Sequence, residues 1–353
     1  MRSYKKKLPE GTKIFIGIDL HKYRWHVTIC TEDIELYSGS IPGEWRSLYT
    51  KIEPYLSYEI YAVYEAGCFG FWLCDELTNH GVKATVTPPS LIPVEYGNRV
   101  KTDKKDSRKL AYLLKKGLLK EVYVPSAEER FHRQVVRRRR QLMQDRVRVQ
   151  HRIKSELCLY GINLPEDCGE WSKKYIKNLR LIHFGNEWMQ ESYTVLLDEY
   201  EYLSSLVVKQ TNKVKELAAT EQYRERVDIL KSIPGVGVLT AMELLVELQD
   251  IRRFARPEQL AAYVGLTPSQ YSSGDKIRMG RITKTGKSHL RGTLIEAAWT
   301  LKRRDKSLEV VYDRIKVRAG GKRAIVAVAR HLLLRARKML IQRCTYEELL
   351  KAA

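Results

Sequence analysis

The segment KIFIGIDLHKYRWHVTICT, residues 13–31, contains two runs of β-branched and aromatic residues separated by a short interruption near His21–Tyr23. Runs of this kind are typical of β-strands, so the segment predicts two strands joined by a turn. Asp19 lies at the end of the first run. Burying a carboxylate costs free energy unless it binds a cation or is paired, so Asp19 is either an ordinary turn residue or part of a site.

The residues that follow extend this α/β pattern. Further elements are predicted in the order strand, strand, helix, strand at 34–40, 58–67, 70–80 and 82–89. Glu65 lies at the end of the strand 58–67, in YEAG. The segment TDKKDSRKLAYLLKKG, residues 102–117, then predicts a helix that begins near Asp103.

The charge of the chain indicates a polyanionic partner. Lys and Arg number 63 against 42 Asp and Glu, a formal net charge of +21. Neutralising phosphates releases condensed counterions, so nucleic acid is the expected partner, with an anionic membrane surface as the alternative. No apolar run reaches the roughly 18 residues that a membrane-spanning helix needs, and we expect no membrane insertion. The basic start lacks an apolar signal core, and the six cysteines form no C-x-x-C pair, which predicts a cytosolic protein with reduced thiols.

Two long helical stretches are predicted in the middle of the chain, at 128–160 and 193–233. Each carries apolar residues at near-heptad spacing, which is typical of an antiparallel helical pair or a coiled-coil dimer arm. The segment 161–190 between them shows no pattern that we can place. The first stretch is also rich in arginine, whose guanidinium groups suit phosphate oxygens, although a solvated face or pairs with acids of the second stretch would explain it equally.

Two further acids complete a candidate metal site. Asp103 and Asp106 are three residues apart and therefore lie on one face of the predicted helix. With Asp19 and Glu65 they supply hard oxygen ligands for Mg²⁺ or Mn²⁺, and two such ions roughly 4 Å apart can stabilise a phosphodiester exchange. Each acid also has an ordinary explanation: a turn, an exposed strand end, a helix cap or an ion pair with a neighbouring cation.

The segments GIDLHK, YEAG and TDKKDSRKLA resemble the DEDD-type transposases of bacterial insertion sequences, the IS one-ten group, to which Piv-type DNA invertases are related. The resemblance implies an RNase H-like (RuvC-like) fold over 1–127. It continues in the second half of the chain, where IPGVGVLTA looks like the turn of a helix-hairpin-helix module. In YSSG it places a catalytic serine at Ser273, with Ser272 as the neighbouring alternative, although a Ser-Ser-Gly turn without function gives the same letters.

The implied fold class is α/β plus α: the RNase H-like domain, a helical coiled-coil arm at 128–230, and a mainly helical C-terminal transposase domain at 231–353. The resemblance further implies metal-dependent strand cleavage and exchange through a covalent phosphoserine. Its implied partners are a guide (bridge) RNA that pairs with donor and target DNA, and further copies of the chain in a dimer to tetramer. The implied location is the bacterial cytosol and nucleoid.

Basic residues near both candidate sites are predicted to contact nucleic acid. They are Lys104, Lys105, Arg137, Arg138, Arg139, Arg140, Arg278, Arg281, Lys284, Lys287 and Arg291. We expect the last five to lie on a basic loop that leads into a helix near Lys287. Two other functions fit the sequence: a structure-selective nuclease of the Holliday-junction resolvase type that uses a metal-activated water, and a non-catalytic nucleic-acid-binding protein whose acids form only surface ion pairs.

Overall fold

The structure is a computed structural model that describes residues 8–93, 102–163, 168–273 and 276–352, with the backbone alone for 272, 273 and 276–279. The chain forms two compact units, residues 1–125 and 126–353. Each unit has its own hydrophobic core. No helix within the described residues is both long enough and apolar enough to cross a membrane.

The first unit is a five-stranded mixed sheet with three helices. Its elements are β1 (Lys13–Leu20), β2 (Arg24–Cys30), β3 (Glu35–Pro42), α1 (Trp45–Ile52), β4 (Glu59–Glu65), α2 (Trp72–Asn79), β5 (Lys83–Thr87) and α3 (Asp103–Lys115). The strand order is β3-β2-β1-β4-β5, with β1 antiparallel to β2 and parallel to β4. The five strands, α2 and α3 confirm the sequence predictions, whereas α1 was not predicted.

The two faces of the sheet pack against different helices. Ile14, Ile16 and Ile18 of β1 form one core with Leu48 of α1 and Leu73 of α2. Successive side chains of a strand point to opposite faces, so the intervening positions of β1 face the other way. That opposite face is covered by α3, whose apolar residues pack on β4.

The helix α3 lies unusually close to β1 because Gly17 has no side chain. A Cβ atom at Gly17 would stand 2.0 Å from the backbone oxygen of Ser107 and 2.5 Å from the backbone nitrogen of Ala111. Any other residue would therefore push the helix away from the sheet. Asp19 is two residues further along β1 and so shares the face on which α3 packs.

The second unit begins with an antiparallel pair of long helices, α4 (Ala127–Leu159) and α6 (Glu187–Ala218). The C-terminal half of α4 packs on the N-terminal half of α6 through Ile153 and Leu197, among others. The prediction of an antiparallel helical pair is thus confirmed within one chain. The predicted stretch 193–233 was wrong in one respect, because α6 ends at Ala218 and a separate helix, α7 (Glu221–Lys231), follows.

The rest of this unit is mainly helical, with one β-hairpin. Its elements are α8 (Val238–Leu248), α9 (Pro257–Val264), β6 (Pro268–Ser273), β7 (Lys276–Ile282), α10 (Ser288–Arg304), α11 (Lys306–Ala319), α12 (Gly321–Gln342) and α13 (Tyr346–Lys351), while α5 (Lys173–Arg180) lies between α4 and α6. The expectation of a basic loop before α10 was wrong over most of its length: β6 and β7 pair antiparallel there. Alternating residues in QYSS and KIRMGRI allow this pairing, which spacing of the cations did not reveal.

Candidate active site

Two acids and a histidine meet at the end of β1. The Nε2 atom of His21 lies 3.3 Å from Oδ2 of Asp19 and 3.6 Å from Oδ1 of Asp103. One ligand atom from each of the three residues falls within 4.8 Å of the others, a spacing that allows all three to reach a single cation. The sequence analysis placed His21 only in a turn. Its position two residues after a strand-terminal acid was the available signal, because imidazole is a common metal ligand.

The start of α3 sets the direction of its acids. Thr102 is the N-cap, and its side chain accepts a hydrogen bond from the backbone N–H of Lys105. Asp103 is therefore not the cap, which was its ordinary explanation, and its carboxylate faces His21 instead. Asp106 lies one turn further along and is close enough to act on the charge of Asp19.

The pKa of Asp19 records an uncompensated concentration of negative charge. Burial raises this pKa, and the charges of Asp103 and Asp106 raise it further, while His21 lowers it. The side chain of Asp19 is only 18% exposed. A carboxylate that has lost hydration and faces two other acids is stabilised by a cation, so the residues present fit a divalent metal.

Glu65 reaches the same edge of the sheet from the neighbouring strand. In the parallel pairing of β1 and β4, Ile18 is level with Tyr64, so the next residues, Asp19 and Glu65, are also level. Val63, two residues earlier, packs against α3, and alternation places Glu65 on that face. Adjacent strands lie roughly 4.8 Å apart. The fold thus gathers all four predicted acids at one end of the sheet.

A buried hydroxyl fixes α3 in this position. Ser107 is fully buried, and its Oγ lies 2.9 Å from Oγ1 of Thr28 and 2.8 Å from Nδ1 of His26, both on β2. Arg108 adds a two-pronged ion pair to Glu35 of β3. These contacts set the rotation of α3 about its axis, and sequence reasoning missed them because their partners are roughly 80 residues apart. Lys104 and Lys105, predicted to contact nucleic acid, are exposed beside the acids.

The arginine-rich helix α4 uses part of its charge inside the second unit. Glu247 of α8 is 1% exposed and accepts two hydrogen bonds from Arg137, at 2.6 and 2.8 Å. Lys287 and His289 of α10 each place a nitrogen 3.4 Å from the same carboxylate. Burial raises the pKa of Glu247, but His289, Arg137 and Lys287 outweigh that effect and hold the pKa well below its ordinary range.

The other arginines of the cluster divide in the same manner. Arg140 lies 3.4 Å from Glu243, and Arg139 donates to the hydroxyl of Thr211 at 2.8 Å. Arg138 is the exposed member of the four. Nucleic-acid contact by this helix stays a prediction, and Arg138 is the residue whose exposure supports it.

The predicted serine lies on the β-hairpin. Ser273 is the last residue of β6, and its backbone is level with Lys276 at the start of β7. The side chains of Ser272, Ser273 and Arg278 lie outside the described residues, so their roles stay predictions. Gly235 of the predicted helix-hairpin-helix turn faces protein: a Cβ there would stand 2.6 Å from the backbone oxygen of Ala297.

The basic residues after the hairpin have different surroundings. Arg281 and Lys284 are exposed. Arg291 is 9% exposed, and its guanidinium donates to the backbone oxygens of Val264 at 2.8 Å and Lys284 at 3.3 Å, so it holds the preceding loop in place. Lys287 already faces Glu247.

Comparisons with known proteins agree on one class. A family profile of DEDD type, described as a transposase, matches residues 16–162, and one described as the transposase IS116/IS110/IS902 family matches residues 227–313. The transposase for insertion sequence element IS1533 of Leptospira borgpetersenii is 28% identical over 92% of this chain and 95% of its own length. The transposase for IS1111A of Coxiella burnetii is 28% identical over 69% of this chain and 67% of its own length.

Proposed function

Because the chain belongs to the IS110 family of insertion-sequence transposases, we propose that it cleaves and exchanges DNA strands with a metal-binding acid cluster in its first unit and a serine nucleophile in its second. The observation that carries this proposal is the gathering of Asp19, Glu65, Asp103 and Asp106 at one end of the sheet. Four acids from distant parts of the sequence meet there without an arginine or lysine ion pair to Asp19 or Asp103 among the described residues.

The first unit is proposed to be RNase H-like. Supporting this are the strand order β3-β2-β1-β4-β5, the antiparallel β1–β2–β3 meander and the parallel β4 and β5. The carboxyl end of β1 therefore adjoins that of β4, where α3 covers the sheet. This placement is what a catalytic pair of strand-end acids requires.

Asp19, Asp103 and His21 would hold a divalent ion such as Mg²⁺ or Mn²⁺, with Glu65 and Asp106 beside them. Bound there, such an ion supplies charge that stabilises oxygens of a reacting phosphodiester. The protein's own part is to hold α3 close to β1, through Gly17 and Ser107, and to keep Asp19 away from bulk water. The exposed Lys104 and Lys105 would attract the DNA backbone to this edge.

Ser273 is the proposed nucleophile, on the strength of the family resemblance of YSSG. Its hydroxyl oxygen would form a bond to phosphorus while a sugar oxygen leaves the strand, giving a phosphoserine that a second strand later resolves. Ser272 is the alternative position. A guide RNA and an assembly of two to four copies complete the proposal, and both rest on the same resemblance.

A serine substitution separates this proposal from the nuclease alternative. DNA that carries the ends of the element is incubated with the protein, its copurifying RNA and Mn²⁺, and covalent protein–DNA adducts are measured on denaturing gels. We expect Ser273→Ala to abolish adducts and Asp106→Asn to abolish all cutting while binding persists. Ser272→Ala is the matched control. Cutting by Ser273→Ala at the parental rate would instead establish hydrolysis by water, and cutting by Asp106→Asn would refute the acid cluster.

Sequencing the copurifying RNA tests the guide. A discrete transcript from DNA next to the gene is expected. A mixture of ribosomal and transfer RNA fragments, unchanged when the flanking DNA is deleted, would contradict the guided mechanism.

A further inference from the structure

A cleft in the second unit is lined by cations that the proposed chemistry does not use. It has a volume of about 1140 Å³ and lies between β7 and the turn that joins α11 to α12. No acidic residue lines it, and its basic residues are Arg281, Lys284, Arg318, Lys322, Arg323 and Arg330. Within the described part of the chain, none of these six forms an ion pair with an acid, in contrast to Arg137 and Lys287 of the same unit.

The start of α12 adds to the positive potential. Gly320 has a φ of 83°, which sharply separates α11 from α12, and no side chain caps the 22-residue helix that begins at Gly321. Uncapped N–H groups at the start of a helix favour anions. Like charges brought together without a counter-charge destabilise a fold, so this arrangement is best explained by a bound polyanion that neutralises them.

An apolar pocket of about 600 Å³ adjoins the cleft. It is lined by Trp299, Ile295, Ile325 and three residues that also line the cleft, Gly321, Lys322 and Val326. Trp299 is 40% exposed, and its ring is supported by Tyr312 at a centroid distance of 5.8 Å. A supported aromatic ring beside a phosphate-binding groove is the arrangement that proteins use to stack an unpaired base.

We propose that this cleft binds single-stranded nucleic acid, with phosphodiesters against the six cations and one unpaired base in the Trp299 pocket. The proposal rests on the proposed function only in that nucleic acid is the substrate. Duplex nucleic acid cannot fill the pocket, because its bases are stacked inside the helix. Arg281 is five residues from the start of β7, about 17 Å along the strand, so a strand held in the cleft can extend towards the end of the hairpin that carries Ser273.

Binding of a 20-nucleotide DNA strand, the RNA strand of equal sequence and the DNA duplex is measured by fluorescence anisotropy over a range of salt concentrations. The triple variant Arg318→Gln/Lys322→Gln/Arg323→Gln is compared with Lys209→Gln/Lys215→Gln/Arg224→Gln, which removes the same charge from exposed sites on α6 and α7. We expect the cleft variant to lower the salt slope for single strands by about 2, from roughly 0.7 per phosphate. Equal slopes for the two triple variants would overturn the proposal.

The base pocket is tested with Trp299→Leu. We expect single-strand affinity to fall about tenfold, from the usual contribution of one stacked base, while duplex affinity stays the same and Trp299→Phe recovers most of the loss. Trp188→Leu is the matched control, since Trp188 is 79% exposed on α6. An equal loss for duplex and single strand, or no loss for either, would overturn the base pocket.

Photocrosslinking of oligonucleotides that contain 5-iodouracil then identifies the residue and the strand type. Crosslinks at Trp299 are expected, and the DNA and RNA arms show which strand occupies the cleft. Crosslinks confined to the first unit would contradict the proposal. All three measurements use the full chain with Asp106→Asn, which separates strand binding from cleavage: failure of the cutting assays leaves these results interpretable, and the reverse also holds.

Discussion

Replacing Gly17 by alanine tests the physical basis of the acid cluster. The added methyl group would lie 2.0 Å from the backbone oxygen of Ser107, where ordinary contacts begin at 3.4 Å. Both of the closest atoms belong to the backbone of α3, so no side-chain rotation relieves the clash. The helix must retreat by more than an ångström, and Asp103 and Asp106 move away from Asp19 with it.

Two effects follow from this displacement. Overpacking of this kind costs about 1–3 kcal/mol of stability, and misplacing catalytic groups by about 1 Å can cost 100-fold in rate. Ser107 would also lose its hydrogen bonds to Thr28 and His26. We therefore expect Gly17→Ala to raise the amide exchange rates of α3 and to lower the cleavage rate about 100-fold.

Hydrogen-exchange mass spectrometry of the full chain reports on α3 separately from the second unit. Gly185→Ala is the matched control, because a Cβ at Gly185 meets no atom within 4 Å. Should Gly17→Ala leave both exchange in α3 and the cleavage rate at parental values, the close packing of α3 would have no part in placing the acids.

Three further predictions concern single side chains. Glu247→Gln should cost about 3–5 kcal/mol at neutral pH, because it leaves buried cations unpaired; the depressed pKa of Glu247 means that its stabilisation is present above the unfolded carboxyl pKa of about 4.3 and is lost as pH falls below it, so urea titrations should show the two proteins converging in acid, and a constant difference would contradict this. Arg137→Gln should lower the melting temperature and Arg138→Gln should weaken DNA binding, and the opposite pattern would reverse their assigned roles. His21→Ala should weaken Mn²⁺ binding, measured by calorimetry, by about 10-fold or more, whereas unchanged binding would remove His21 from the site.

The paired arginines show why local pattern predicted the helix but not its use. The sequence RRRR at 137–140 indicates a basic helix, and α4 is that helix. Whether a guanidinium faces solvent depends on α8 and α10, which are about 100 residues away in the chain. Glu247 reads as one acid in an apolar helix, and nothing near it in sequence shows that it binds Arg137 and lies beside Lys287.

The sequence alone determined the order of strands and helices in the first unit and the positions of four acids at element ends, because hydrophobic periodicity and strand-terminal charge are local properties of the chain. Tertiary structure decided that these acids meet, that His21 joins them, and that Ser107 holds α3 against β2. It also decided which cations stay unpaired, and so revealed the cleft at the start of α12. The physical reason is that burial and ion pairing depend on residues far apart in sequence, whose meeting is fixed only when sheets and helices pack.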